Sequence, residues 1–212
     1  MKILIIDDHP LIRKGLILVL NQENNSSFTV DEADGELDAL KLLSENSYDL
    51  VLLDISLNGR SGLDILVWIK KEYQSVPVLV ISMHPEDQYA LRAMRLGAAG
   101  YLSKHSATVN LIQAINQIRT CGKYISPTLS LLLAEEVGRR TDSWDPLYKT
   151  LSNREMEIGR LISRGLTPRE IATTLNLSVK TINTYRFRLL HKLAVRSNVD
   201  LATYYIENSL LC

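Results

Sequence analysis

Two short runs, LVLLD at residues 50–54 and VPVLVIS at 76–82, are apolar at nearly every consecutive position. A strand with one wet face alternates apolar and polar residues, so strands apolar on both faces must be covered on both sides. That condition is met by a parallel sheet between layers of helices. Strands are expected at 2–6, 28–32, 49–53, 77–82 and 99–102, with helices near 10–21, 36–44, 62–72, 86–96 and 107–120. In the first helix, Ile12, Leu16, Val19 and Leu20 keep the three-and-four spacing of a helical face. Strict strand–helix alternation five times over predicts a doubly wound α/β domain. Periodicity does not give the order of its strands.

The chain changes character after about residue 125. Pro127 is placed to open a helix through LSLLLAEEVGRR, and the polar, turn-prone TDSWDP reads as a linker. From Leu151 onward the pattern is wholly helical. Ser152 with Glu155, and Thr167 with Glu170, have the spacing of capping boxes; Gly165 stops the first of these helices, and Ser178 and Ser197 open two more. Charge divides in the same place. Residues 1–125 hold 12 basic and 15 acidic residues, a net of −3, whereas residues 147–212 hold 10 and 5, a net of +5. Two domains with different partners are therefore expected.

No apolar run approaches the roughly 20 residues of a membrane-spanning helix. No basic-then-apolar leader opens the chain, and Cys121 and Cys212 form neither a disulfide framework nor a zinc spacing. A cytoplasmic setting, away from membranes, is expected.

Ligands of open α/β sheets sit at the carboxyl ends of the strands. The first predicted strand ends in Asp7-Asp8, the third in Asp54 and the fourth in Ser82; Lys104 follows the fifth. Three carboxylates this close cannot all ionise without compensation, and a hard divalent cation such as Mg²⁺ is the natural compensator. With Lys104 alongside, the site suits a phosphoryl dianion, and Asp54 could attack phosphorus to give an acyl phosphate. Any one of these acids alone could simply cap a helix, as Asp8 near Pro10 could. The coincidence of all five at strand ends favours the chemical reading. The histidines His9, His84, His105 and His191 show no ligand spacing; His9 is expected near the acidic pair or as a cap on the first helix.

The segments IIDDH, LVLLDISL, VLVIS and GAAGYLSK resemble the motifs of response-regulator receiver domains. The resemblance implies a flavodoxin-like (βα)5 fold with Asp54 as phospho-acceptor, supplied by a sensor histidine kinase or a histidine phosphotransfer protein. It implies Mg²⁺ held by Asp8 and Asp54, by Asp7 through water, and by the Ser56 backbone carbonyl. Lys104 would hold a phosphoryl oxygen. Ser82 would be the switch hydroxyl and Tyr101 the switch aromatic, entering space that Ser82 vacates. Two positions depart from the common pattern: Asn58 and His105 stand where many receivers have proline.

In TPREIATTLNLSVKTINTYR, a helix over about 168–175 and another from Val179 read as a helix-turn-helix. Ala172 is small where the helices cross, Asn176 tolerates a left-handed turn, and Ile182 faces the angle between them. Lys180, Thr181, Asn183, Thr184, Arg186, Phe187 and Arg188 are then the candidate DNA contacts. A helical hairpin with a solvated basic face is the plainer alternative. The stretch from LSNREMEIGR to LLHKL resembles LuxR-type DNA-binding domains. Joined to a receiver, it resembles the NarL/FixJ class of response regulators. The expected organisation is a receiver at 1–121, a partly helical linker at 122–149 and a four-helix DNA-binding domain at 150–212, with the helix-turn-helix at about 167–186.

The resemblance implies phosphorylation-promoted binding of a homodimer to promoter half-sites on double-stranded DNA, with RNA polymerase as a further partner. It gives the fourth C-terminal helix, about 197–208, as dimer surface, with Leu201 and Tyr205 as candidate contacts or core. Two rivals stand beside this reading. An aspartyl-phosphate phosphatase would need a second acid two residues after Asp54, where Ser56 stands. A phosphorylation-independent regulator with a vestigial receiver would have little use for a complete acidic set.

Overall fold

Consecutive residues of β1 (Lys2–Ile6) part to opposite sides of a sheet. Ile3 and Ile5 join one apolar cluster, Leu4 and Ile6 another. The same period-two sorting divides β3 (Leu50–Leu53), β4 (Val78–Ser82) and β5 (Gly100–Ser103), which is why these strands are apolar up to the serines that end β4 and β5. One side is covered by α1 (Pro10–Asn21) and α5 (Lys104–Cys121), the other by α2 (Glu36–Glu45), α3 (Gly62–Glu72) and α4 (Glu86–Arg95). With β2 (Thr29–Ala33) at one edge, the strands are parallel and ordered β2-β1-β3-β4-β5. The structure, a computed structural model, describes residues 1–22, 28–57, 61–138, 148–208 and 210, in two compact units, Met1–Glu135 and Glu136–Cys212. Asn58 and the turn-prone TDSWDP lie outside the described residues.

Helix α5 begins three residues before the periodicity suggests. The Ser103 hydroxyl accepts the His105 N–H at 3.3 Å and caps the helix there, which makes Lys104 its first residue. At the other end the chain does not leave the unit. It runs from Gly122, in the left-handed conformation at φ 75°, into α6 (Pro127–Gly138), whose Leu129 is fully buried in the α2–α3–α4 cluster. The first unit thus keeps residues 122–135, where the linker was expected to start.

The second unit is helical: a short 3₁₀ turn (Tyr148–Thr150), α7 (Asn153–Ser163), α8 (Pro168–Thr174), α9 (Val179–Lys192) and α10 (Asn198–Glu207). Both capping boxes form, Ser152 with Glu155 and Thr167 with Glu170. Asn176 takes φ 51°, as the turn between α8 and α9 requires, and Ile182 and Ala172 are buried in the angle. Among the described residues, no helix is long and apolar enough to cross a membrane.

Glu155 links two of these features: it closes the α7 capping box and pairs with Lys192 at 2.7 Å. Burial pushes its carboxyl up, but the Lys192 ammonium and the Ser152 N–H outweigh this and hold it below the ordinary 4.5. Ionised Glu155 therefore stabilises the unit above pH 4.5, and that contribution is lost as pH falls through the lower folded value. Glu155→Gln keeps the box but loses the pair. Urea midpoints of the two proteins should differ at pH 7 and converge on acidification; a gap that stays constant with pH would refute the assignment.

Candidate functional site

Strand order makes the crevice. The chain steps from β1 out to β2, then crosses back so that β3 pairs on the other side of β1. The helices after β1 and β3 therefore leave on opposite faces, and the carboxyl ends of these two strands open between them. The ladder sets the distance across this opening. Ile6 pairs with Leu53, the Asp54 N–H donates to the Ile6 carbonyl at 2.9 Å, and the Asp7 N–H donates to Ala33. Asp7 and Asp54 are thus neighbours on adjacent strand ends, both nearly buried.

Lys104 reaches into this gap from the first position of α5. Its Nζ lies 2.6 Å from Asp7 Oδ2 and 2.6 Å from Asp54 Oδ2, with all three side chains about 95 % buried or more. The Ser56 N–H donates to Asp54 Oδ1 at 3.1 Å. Burial pushes the Asp54 carboxyl up, a push that Lys104 and the Ser56 N–H oppose and the Asp7 charge reinforces. For Lys104 burial acts downward, but the two carboxylates more than offset it and hold the ammonium above its usual range.

Asp8 belongs to the same group. One ligand atom each from Asp7, Asp8, His9 and Asp54 lies within 4.8 Å of the others. His9 heads α1 without a side-chain capping bond; its Nδ1 is 2.6 Å from Asp8 Oδ1 instead, so of its two expected places it takes the one beside the acids. Three carboxylates offer the hard oxygens that a small divalent cation takes.

Ser82 and Tyr101 meet at the backbone of His84. The His84 N–H donates to Ser82 Oγ at 3.0 Å, and the Tyr101 hydroxyl donates to the His84 carbonyl at 3.0 Å. The Tyr101 ring is fully buried. Gly62 also belongs to the site, although no strand-end pattern marks it. A Cβ there would sit 2.0 Å from the Asp54 carbonyl oxygen and 2.6 Å from the Ile55 Cα, because the Gly62 backbone lies directly against these residues, its N–H donating to the Ile55 carbonyl at 2.9 Å. The signal available was a glycine at the very start of a helical pattern. Gly62→Ala should cost about 1–3 kcal/mol in urea unfolding and slow phosphoryl acceptance by displacing Asp54; wild-type behaviour in both would refute the close approach.

In the second unit, α9 carries Lys180, Asn183, Thr184, Phe187 and Arg188 on its exposed side, with Thr181 partly exposed. Phe187 is 71 % exposed, unusual for a large ring with no partner to meet. Arg186 is tied down: its Nε donates to Asn198 Oδ1 at 2.6 Å. Leu201 and Tyr205 are not surface contacts. Both are fully buried, and Gly159 makes room for the Tyr205 ring, since a Cβ there would lie 2.1 Å from the phenol oxygen. The exposed apolar residues of α10 are Val199 and Ile206.

A receiver-type phosphoryl pocket in one unit and a helix-turn-helix in the other define a two-domain signalling protein. Comparison with known proteins agrees: residues 3–116 match the response regulator receiver domain, and residues 149–205 match bacterial regulatory proteins of the luxR family. The chain is 33% identical over 210 residues to the response regulator GacA of Pseudomonas aeruginosa, covering 99% of this chain and 97% of that one. It is 32% identical to the response regulator UvrY of Escherichia coli K12, covering 98% and 94%. A solved complex of the two-component response regulator RcsB with DNA is similar at 25% identity and a TM-score of 0.57, covering 98% of each chain. The chain belongs to the response-regulator family, in the NarL/FixJ class.

Proposed function

We propose that this chain is a cytoplasmic transcription regulator whose DNA binding is controlled by phosphorylation of Asp54. The observation that carries the reading is the carboxylate group at the β1/β3 switch point, bridged by one buried lysine. An Asp54 oxygen attacks the phosphorus of a phosphohistidine on a sensor kinase or phosphotransfer protein. The P–N bond breaks, its electron pair leaves with the imidazole, and an acyl phosphate forms. Asp8 and Asp54, Asp7 through water and the Ser56 carbonyl would hold Mg²⁺, which supplies positive charge against the phosphoryl oxygens when bound. Lys104, already on Asp54, is placed to hold a phosphoryl oxygen. The Ser82 hydroxyl turns toward the new dianion and gives up its bond from His84, which also carries the Tyr101 contact; α4 starts two residues later. The protein accepts a phosphoryl group to change its state rather than to turn over a substrate.

Lys180 and Arg188 suit phosphates, Asn183 and Thr184 suit base edges, and Phe187 suits a thymine methyl. Arg186, held by Asn198, presents what remains of its guanidinium beside them. Val199 and Ile206 make the apolar strip of α10 through which two copies would pair on adjacent half-sites. Similarity to the RcsB–DNA complex supports the DNA-binding role.

The test is genome-wide mapping of bound DNA for wild type and Asp54→Ala. Discrete promoter sites in wild type that weaken in the variant are expected. Identical maps would mean a phosphorylation-independent regulator, and no enriched sites would remove DNA binding altogether.

A further inference from the structure

We propose that α6 is the first unit's own readout of its switch: Ser126 latches α6 to Glu86 at the start of α4, and a change in α4 releases it. The proposal rests on the phosphorylation reading above and adds the route by which the state of Asp54 leaves the receiver.

The chain after α5 is fastened to the sheet edge before α6 begins. The Tyr124 N–H donates to the Ala99 carbonyl at 2.8 Å, and the Lys123 ammonium to the Ala98 carbonyl at 2.6 Å. Ser126 follows, nearly buried, and its hydroxyl has two duties. It donates to Glu86 Oε2 and accepts the Leu129 N–H at 3.0 Å. One oxygen therefore caps α6 and grips the first residue of α4, with the strength of a bond to an ionised acceptor.

Below the latch, Leu129 is fully buried in the cluster that holds Ala90 and Ala93 of α4 and the Tyr101 ring, and Leu133, one turn on, packs against it. Alanines at these two α4 positions leave room for leucines from elsewhere. On the other side of Glu86, His84 bonds to both Ser82 and Tyr101. Ser82, His84, Glu86, Ser126 and α6 thus form a line from the phosphoryl pocket, with hydrogen bonds at Ser82–His84 and Glu86–Ser126 and the chain itself, through Pro85, between them. Helix α6 is the last element before residues 139–147 and the second unit.

Hydrogen exchange on the full chain, with and without beryllofluoride and Mg²⁺ as a stable phosphoryl mimic, tests this. The mimic should speed exchange of amides 128–138 about tenfold, the worth of one hydrogen bond to a charged group. Ser126→Ala should show that faster exchange without the mimic, and no further response to it. Glu86→Gln, which offers Ser126 a neutral oxygen in place of a charged one, should fall between wild type and Ser126→Ala, and Glu86→Ala should behave like Ser126→Ala. The proposal is overturned if residues 82–90 respond to the mimic while α6 does not, or if Ser126→Ala keeps the wild-type response. No response anywhere around residues 54, 82 and 104 would instead sink the phosphorylation reading, and this coupling with it.

Discussion

Lys104→Met should lower the unfolding free energy of the first unit by about 3–5 kcal/mol at neutral pH, the usual cost of removing one partner from a buried ion pair. The lysine is the neutralising cation for Asp7 and Asp54 at once, with 2.6 Å to each and almost no solvent around any of the three. Methionine keeps the length and apolar stem but leaves the acids facing one another. The Asp54 carboxyl, already raised by burial, rises further without the lysine that opposed it, so the deficit grows as pH climbs through the carboxylate range and shrinks on acidification. A divalent cation held by the same acids should restore much of the loss: at a hundred times its dissociation constant, binding contributes about 2.7 kcal/mol. Urea unfolding at pH 4 and 7, with and without Mg²⁺, measures all of this. A deficit indifferent to both pH and Mg²⁺ would mean that Lys104 stabilises by packing alone.

Asp8→Ala should separate chemistry from folding in the opposite sense. Asp8 lies beside the other acids, at 2.6 Å from the His9 Nδ1, while Lys104 sits on Asp7 and Asp54. Removing it takes away one of three crowded negative charges, so stability should hold or rise slightly. The proposed role of Asp8 as a direct Mg²⁺ ligand predicts that its loss reduces Mg²⁺-dependent phosphorylation of Asp54 by at least the ~10–100-fold that losing an outer-shell partner costs a metal site. Phosphorylation by a small acyl-phosphate donor, followed beside the urea midpoint, gives both readings. Full phosphorylation with an unchanged midpoint would remove Asp8 from the ligand set.

The two substitutions differ because the acids are not equivalent, and that inequivalence was only half legible. That Asp7, Asp8, Asp54, Ser82 and Lys104 would gather on one rim follows from local pattern, since each lies where an apolar run ends. That Lys104 would take Asp7 and Asp54 does not, because the choice depends on how β1 and β3 align and where α5 begins. The Ser103 cap starts that helix three residues early and sets the lysine's approach. Leu201 and Tyr205 show the same limit on α10. Their apolar character marked them as partners of something, and only the packing at Gly159 assigned them to the core and left Val199 and Ile206 outside.

By itself the sequence determined the kinds of elements, the capping boxes at Ser152 and Thr167, the left-handed Asn176 and the chemistry at each strand end. These depend on residues a few positions apart, where backbone geometry and hydrogen-bond reach leave few choices. Tertiary structure alone decided the strand order that opens the crevice, the partners of Lys104, the seat of α6 on the first unit and the buried face of α10. Those depend on contacts between residues as much as 97 positions apart, as Asp7 and Lys104 are. Such contacts are selected by how whole faces fill space, which no local periodicity encodes.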